Sequence, residues 1–185
     1  MNVVSKAGVR IADTYDFVLA TPTPDRVQDS LVIKGIDTRP FEANPVALYM
    51  HNHQEPIGAW SNLKKSDAML TGRLNFAAEG TSKMVDFARS MVSQGMLKAV
   101  SVSFIPVERK STPDGRGSII TKSELLEVSL VTIPMNPQAL MIAKSFSFSD
   151  DEINSLFEPV NPDANSGHNL HARIVLMKAR AGLYR

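Results

Sequence analysis

A chain of 185 residues that is 43% hydrophobic and 21% charged can bury one core and carry a tail, so a single folded domain is the expectation. Its formal net charge of +1 excludes a whole-protein field strong enough to draw nucleic acid, an anionic membrane or a strongly acidic substrate. The absence of cysteine excludes disulfides, thiolate metal sites and a cysteine nucleophile, and is compatible with a reducing cytoplasm.

From the N-terminus, residues 1–23 mix Lys6, Arg10, Asp13 and Asp16 among apolar residues. No run there approaches the ~20 apolar residues of a membrane span, so neither secretion nor membrane insertion is expected. The next segments read mostly as strand. Residues 17–20 form a β-rich run closed by Thr21-Pro22-Thr23-Pro24, and residues 30–34 form another closed by Gly35. Residues 46–50 are a third and lead directly into His51. Residues 57–63 and 68–76 follow as strands, with the polar stretch 64–67 as a hairpin turn. A helix is predicted over 81–94, because Met84, Val85, Ala88, Met91 and Val92 recur at three- and four-residue spacing. Thr81 can cap its start and Gly95 can end it.

Residues 99–107 alternate again: Val100, Val102 and Phe104 can enter the core while Ser101 and Ser103 share the opposite face. Residues 110–117, with Pro113-Asp114-Gly115, turn the chain back. Residues 118–133 supply one or two strands, stopped by Pro134-Met135-Asn136-Pro137. Beyond them the composition changes. Residues 145–168 read as a polar, acidic linker and residues 169–185 as a basic amphipathic tail helix, which leaves 1–144 as the folded domain. No internal repeat is present.

Three chemistry-bearing residues stand out in these strand-like segments: His51, Ser101 and Glu127. An imidazole, a hydroxyl and a carboxylate are the parts an activated serine nucleophile needs. Each has a plainer reading. His51 suits a surface position, a serine on an open strand face is common, and Glu127 suits a salt bridge to a lysine or arginine on a neighbouring strand. His53 lies two residues from His51, so in an extended segment both face the same way and either can serve as base or ligand. His51 and His53 with Glu127 would also make a zinc-hydrolase ligand set. The helical His-Glu-x-x-His pattern is absent, however, and that arrangement leaves Ser101 without a role.

At these residues a family resemblance emerges. The run Pro45-Val46-Ala47-Leu48-Tyr49-Met50-His51-Asn52-His53-Gln54-Glu55-Pro56-Ile57-Gly58 resembles the histidine motif of the prohead proteases of tailed bacteriophages: an apolar run, His-Asp, a few polar residues, then Pro-Ile-Gly. The segment Gly95-Met96-Leu97-Lys98-Ala99-Val100-Ser101-Val102-Ser103-Phe104 is similar to their Gly-x-Leu-x-x-Leu-Ser-Ile-Gly-Phe nucleophile motif. Glu127-Val128-Ser129-Leu130-Val131-Thr132-Ile133-Pro134-Met135-Asn136-Pro137 is similar to their Glu-Val-Ser-Leu-Val-Thr-x-Pro-Ala-Asn-Pro. The three motifs occur in the family's order within residues 33–143; the tail is not covered.

The resemblance implies His51 as general base, Ser101 as nucleophile and Glu127 as the acidic third member, with His53 at a variable position. Asn52 replaces the usual aspartate and Val100 the usual leucine. Ser103 replaces the usual glycine and so remains a second candidate nucleophile. The implied fold is mainly β with helices (α+β), a distorted β-barrel like that of the herpesvirus maturation proteases, flanked by helices. The implied activity is that of a serine endopeptidase without cofactor or metal. It would act in the host bacterial cytoplasm inside the assembling prohead. Its substrates would be scaffold, the major capsid protein and the protease itself, and no nucleic acid or membrane partner is expected. A homodimer or other oligomer is suggested by analogy with the herpesvirus enzymes. The tail would tether the protease to capsid or scaffold and be cut off within 145–167. The rival is a non-catalytic assembly scaffold or chaperone with a protease-like domain.

Overall fold

The structure, a computed structural model, describes residues 14–144; the predicted linker at 145–168 and tail at 169–185 lie outside the described residues. In chain order the elements are β1 (Thr14–Ala20), β2 (Ser30–Leu31), a 3-10 turn (Ile33–Gly35), β3 (Ile36–Asp37), α1 (Arg39–Ala43), β4 (Val46–Tyr49), β5 (Asn52–Lys65), β6 (Leu70–Phe76), α2 (Lys83–Ser93), β7 (Ala99–Ser111), β8 (Ser118–Val131) and β9 (Met141–Lys144). The protein is therefore mainly β, with two helices among the described residues.

All nine strands share one sheet, ordered β2-β8-β4-β5-β6-β1-β9, with β3 and β7 also pairing to β8. β8 organises the rest. Its 14 residues pair antiparallel with β7 on one edge and parallel with β2, β3 and β4 on the other. A parallel neighbour needs a long crossover, and the chain from β4 to β8 supplies it through β5, β6, α2 and β7. The core gathers Phe17, Trp60, Leu74, Val85, Val100, Leu125, Val128 and Leu130. Phe17 and Trp60 meet edge to face, 5.7 Å between ring centroids.

The helix expected at 81–94 is α2. Val85, Ala88 and Val92 are its buried residues, a stripe at three- and four-residue spacing. The cap is Ser82 rather than Thr81: the Val85 N–H donates to Ser82 Oγ over 3.1 Å, while the Thr81 hydroxyl donates to Ala78 O. Gly95, at φ +70°, ends the helix as expected.

Other segments differ from expectation. The strand anticipated at 30–34 stops at Leu31 and becomes a 3-10 turn that buries Ile33. Gly35 permits this, because a Cβ there would collide with the backbone carbonyl oxygen of Thr121. The strand anticipated from 57 begins at Asn52, and residues 118–131 form a single strand. β3, α1 and β9 carry no local signal strong enough to have been anticipated.

The strand path has two ends, β2 and β9, and among the described residues no strand pair joins them. A seam does run between β7 and the approach to β9. Ala99 and Leu140 form an isolated bridge, the Val100 N–H donates to Ala139 O over 3.0 Å, and the Met141 N–H donates to Lys98 O over 2.7 Å. Among the described residues no helix is long and apolar enough to cross a membrane.

Candidate active site

His51 is delivered by a turn, where a strand was expected. β4 and β5 pair Tyr49 with Asn52, which leaves Met50 and His51 as the two turn residues at φ +55° and +60°. Positive φ at both central positions matches the twist of a tight hairpin but is usually met with Asn-Gly, because a Cβ is crowded there. Both turn N–H groups are tied to β8: Met50 donates to Leu130 O over 2.9 Å, and His51 donates to Ser129 Oγ over 3.1 Å. The parallel pairing of Leu48 with Ser129 and Tyr49 with Leu130 carries the turn to that place.

The same strand supplies the carboxylate. Glu127 Oε1 lies 2.5 Å from His51 Nδ1, with the histidine side chain 42% exposed and the glutamate side chain 12%. A carboxylate only accepts, so Nδ1 carries the proton and Nε2 is the basic nitrogen. Among the described residues Nε2 makes no hydrogen bond. Two hydroxyls also donate to the carboxylate: Ser103 to Oε1 over 2.5 Å, and the fully buried Ser129 to Oε2 over 2.6 Å. Antiparallel pairing of β7 with β8 sets Ser103 opposite Glu127 and Ser101 opposite Ser129. A bulge follows at Leu126, where Phe104 pairs with Leu125, so Leu126 turns out to solvent while Glu127 stays on the serine face.

Ser103 thus sits on the carboxylate side of the imidazole, 3.5 Å from Nδ1, where it cannot hand its proton to Nε2. Ser101 is 95% buried, by an exposure of 5%, on the same face of β7 one two-residue repeat along, ~6.8 Å. It lines a small cavity at the edge of β7, shared with Leu19, Leu31, Phe104, Met135 and Asn136. Among the described residues its hydroxyl makes no hydrogen bond, so the structure joins His51 and Glu127 directly and leaves Ser101 as a neighbour of the pair.

His53 is not part of the cluster. Pairing jumps from Leu48 with Pro56 to Tyr49 with Asn52, so residues 53–55 bulge from the ladder and His53 is exposed. The histidines therefore do not share a face, because His51 lies in the turn. Among the described residues no group of three or more His, Cys, Asp or Glu side chains is placed to hold a metal, so the ligand set of His51, His53 and Glu127 is not assembled. Ser129 is the site residue that sequence reasoning missed. Its only signal was its register, two residues from Glu127 in an alternating strand.

Behind the site, the buried Trp60 indole Nε1 donates to Val128 O over 3.0 Å, between Glu127 and Ser129. Trp60→Phe removes that bond and part of a close-packed ring. It is expected to lower unfolding stability by about 2–3 kcal/mol, read as a lower urea midpoint at unchanged slope. An unshifted midpoint would show that Trp60 does not brace β8.

A carboxylate-held imidazole beside a strand bearing a buried serine is the equipment of a serine hydrolase. Residues 22–152 match the caudovirus prohead serine proteases, and the chain belongs to that family. It is 30% identical over 126 residues, 66% of its own length and 18% of the relative's, to a capsid polyprotein of Pseudomonas phage PAJU2. It is also 30% identical over 111 residues, 60% of its own length and 51% of the relative's, to a prohead protease of Escherichia phage T5. The chain spans about half or less of these relatives.

Proposed function

We propose that this chain is a serine endopeptidase of phage capsid maturation, with Ser101 as nucleophile, His51 as general base and Glu127 as the carboxylate that orients the base. The observation that carries the reading is the 2.5 Å contact between His51 Nδ1 and Glu127 Oε1, which leaves Nε2 for a hydroxyl. Ser101 Oγ attacks the scissile carbonyl carbon as its proton passes to Nε2, and Glu127 offsets the positive charge on the ring. The tetrahedral intermediate then expels the amine, which takes the proton from Nε2. Water, activated by the same nitrogen, hydrolyses the acyl-enzyme. The bond from Ser101 Oγ to Nε2 forms as substrate fills the site.

The substrates are scaffold, the major capsid protein and the protease itself, cut inside the assembling prohead in the host bacterium. Family membership and the likeness to a relative named prohead protease support this assignment. The proposed catalytic unit is residues 1–144, although the family match runs from 22 to 152. The proposed architecture is a distorted barrel of the herpesvirus-protease kind; the bridge between Ala99 and Leu140 supports that reading, while β2 and β9 stay unjoined among the described residues.

Coexpression with the neighbouring major capsid protein tests the class. The expected result is capsid protein and protease of reduced mass, unaffected by chelator. Full-length capsid protein in assembled shells would instead favour the non-catalytic scaffold, and cleavage stopped by chelator would favour a metal hydrolase.

A further inference from the structure

Ser129 is buried completely, yet its hydroxyl is used twice at the site. It donates to Glu127 Oε2 over 2.6 Å and accepts the His51 N–H over 3.1 Å. The second bond secures one of the two turn residues held at positive φ. His51 sits at φ +60° directly after Met50 at φ +55°, a conformation that no glycine relieves, and such backbone persists only where its surroundings over-determine it. One oxygen atom therefore fixes both the backbone that presents the imidazole and the carboxylate that grips it. We propose that Ser129 is the positioning residue of this site: it locks the Met50–His51 turn to the Glu127 carboxylate, so that Nε2 is aimed before substrate arrives.

The inference rests on the triad reading above but concerns orientation rather than bond making. Ser103 is not equivalent. It touches only the Oε1 side of the carboxylate and the ring, and makes no bond to the turn backbone. Removing Ser103 leaves His51 tied at its N–H; removing Ser129 frees the His51 N–H and one carboxylate oxygen together, leaving the bond from Met50 N–H to Leu130 O as the turn's backbone tie to β8.

Two measurements on the full chain test it. The first is kcat and KM for a peptide spanning the processing site, with Ser129→Ala and the isosteric pair Ser129→Thr and Ser129→Val. The expected result for Ser129→Ala is a kcat lower by about tenfold to a hundredfold, the scale of an ~1 Å misplacement, with KM within about threefold. Threonine and valine impose the same crowding and differ only in the hydroxyl, so Thr should exceed Val by at least about tenfold. Wild-type kcat in Ser129→Ala, or equal rates for Thr and Val, would overturn the proposal.

The second is the NMR resonance of the His51 Nδ1 proton, which needs no turnover. It should stand far downfield in wild type and Ser129→Thr, and move upfield or vanish in Ser129→Ala and Ser129→Val. An unmoved resonance would overturn the proposal. If the wild type cleaves no peptide, the triad reading fails by itself, and the resonance still decides the role of Ser129.

Discussion

Ser101→Ala should abolish peptide cleavage, with kcat falling by at least about 10⁴-fold, while Ser103→Ala should lower it only about tenfold. The asymmetry follows from the proposed triad, because Ser103 lies on the Nδ1 side of the imidazole. Glu127 takes Nδ1, so the proton acceptor is Nε2 at the far side of the ring. Ser103 Oγ donates to the same carboxylate oxygen that Nδ1 meets. Its loss removes one charge-assisted bond from Glu127 and leaves the base and nucleophile in place. In the proposed triad, loss of Ser101 removes the atom that would form the acyl-enzyme, which leaves only the rate supplied by binding and oxyanion stabilisation. A fluorophosphonate should therefore add to Ser101 in wild type and in Ser103→Ala, located by mass on the peptide containing residue 101. An adduct on residue 103, or activity that survives Ser101→Ala and stops with Ser103→Ala, would move the nucleophile by two residues. Such a result would require the imidazole to rotate and release Glu127.

The parts of the site that were legible in the sequence are those carried by alternation. Val100 and Val102 mark one face of β7, which put Ser101 and Ser103 together on the other; Glu127 stood out by its apolar neighbours Val128, Leu130 and Val131, and its place opposite Ser103 comes from the β7–β8 register. The strand-rich architecture, α2 and the stop at Gly95 were legible for the same reason, since period and breakers are local signals. The Met50–His51 turn was not. Its apolar lead-in, Val46 to Met50, reads as a strand running into His51, and a positive φ at methionine and histidine has no composition cue; the bonds to Leu130 O and Ser129 Oγ impose it from β8. The bulge at 53–55, which parts His53 from His51, is imposed by the same β4–β5 register. β3 and β9 are short strands defined by distant partners, β8 and β1, and local propensity does not see such pairing. Ser129 was overlooked because, in a row of buried apolar residues, a serine reads as filler until its oxygen is placed against both Glu127 and the His51 N–H.

Glu127→Gln is the second large effect expected, and it separates charge from shape. The glutamine keeps the length and planarity of the side chain, but it offers one acceptor oxygen where three donors converge: His51 Nδ1–H, the Ser103 hydroxyl and the Ser129 hydroxyl. The two hydroxyls can rotate and accept from the new amide, so the fold should survive with a stability change of about 1–2 kcal/mol. The imidazole cannot adapt so cheaply. If the amide N–H points at Nδ1, that nitrogen must become the acceptor and the ring proton moves to Nε2, the position from which Ser101 has to be deprotonated. If the oxygen points at Nδ1, the tautomer is kept but the positive charge formed during attack loses its compensating anion. Both routes lead to a kcat lower by about 10³- to 10⁴-fold, with KM little changed because the group does not touch substrate before the chemical step. Glu127→Asp should fall between this variant and wild type, since it retains the charge but withdraws it by about one methylene from Nδ1. The order wild type, then Asp, then Gln in kcat assigns the carboxylate to catalysis. Equal rates for Gln and wild type would make the His51 contact a structural tie that holds β8 to the turn, and the base would have to act without an acidic partner.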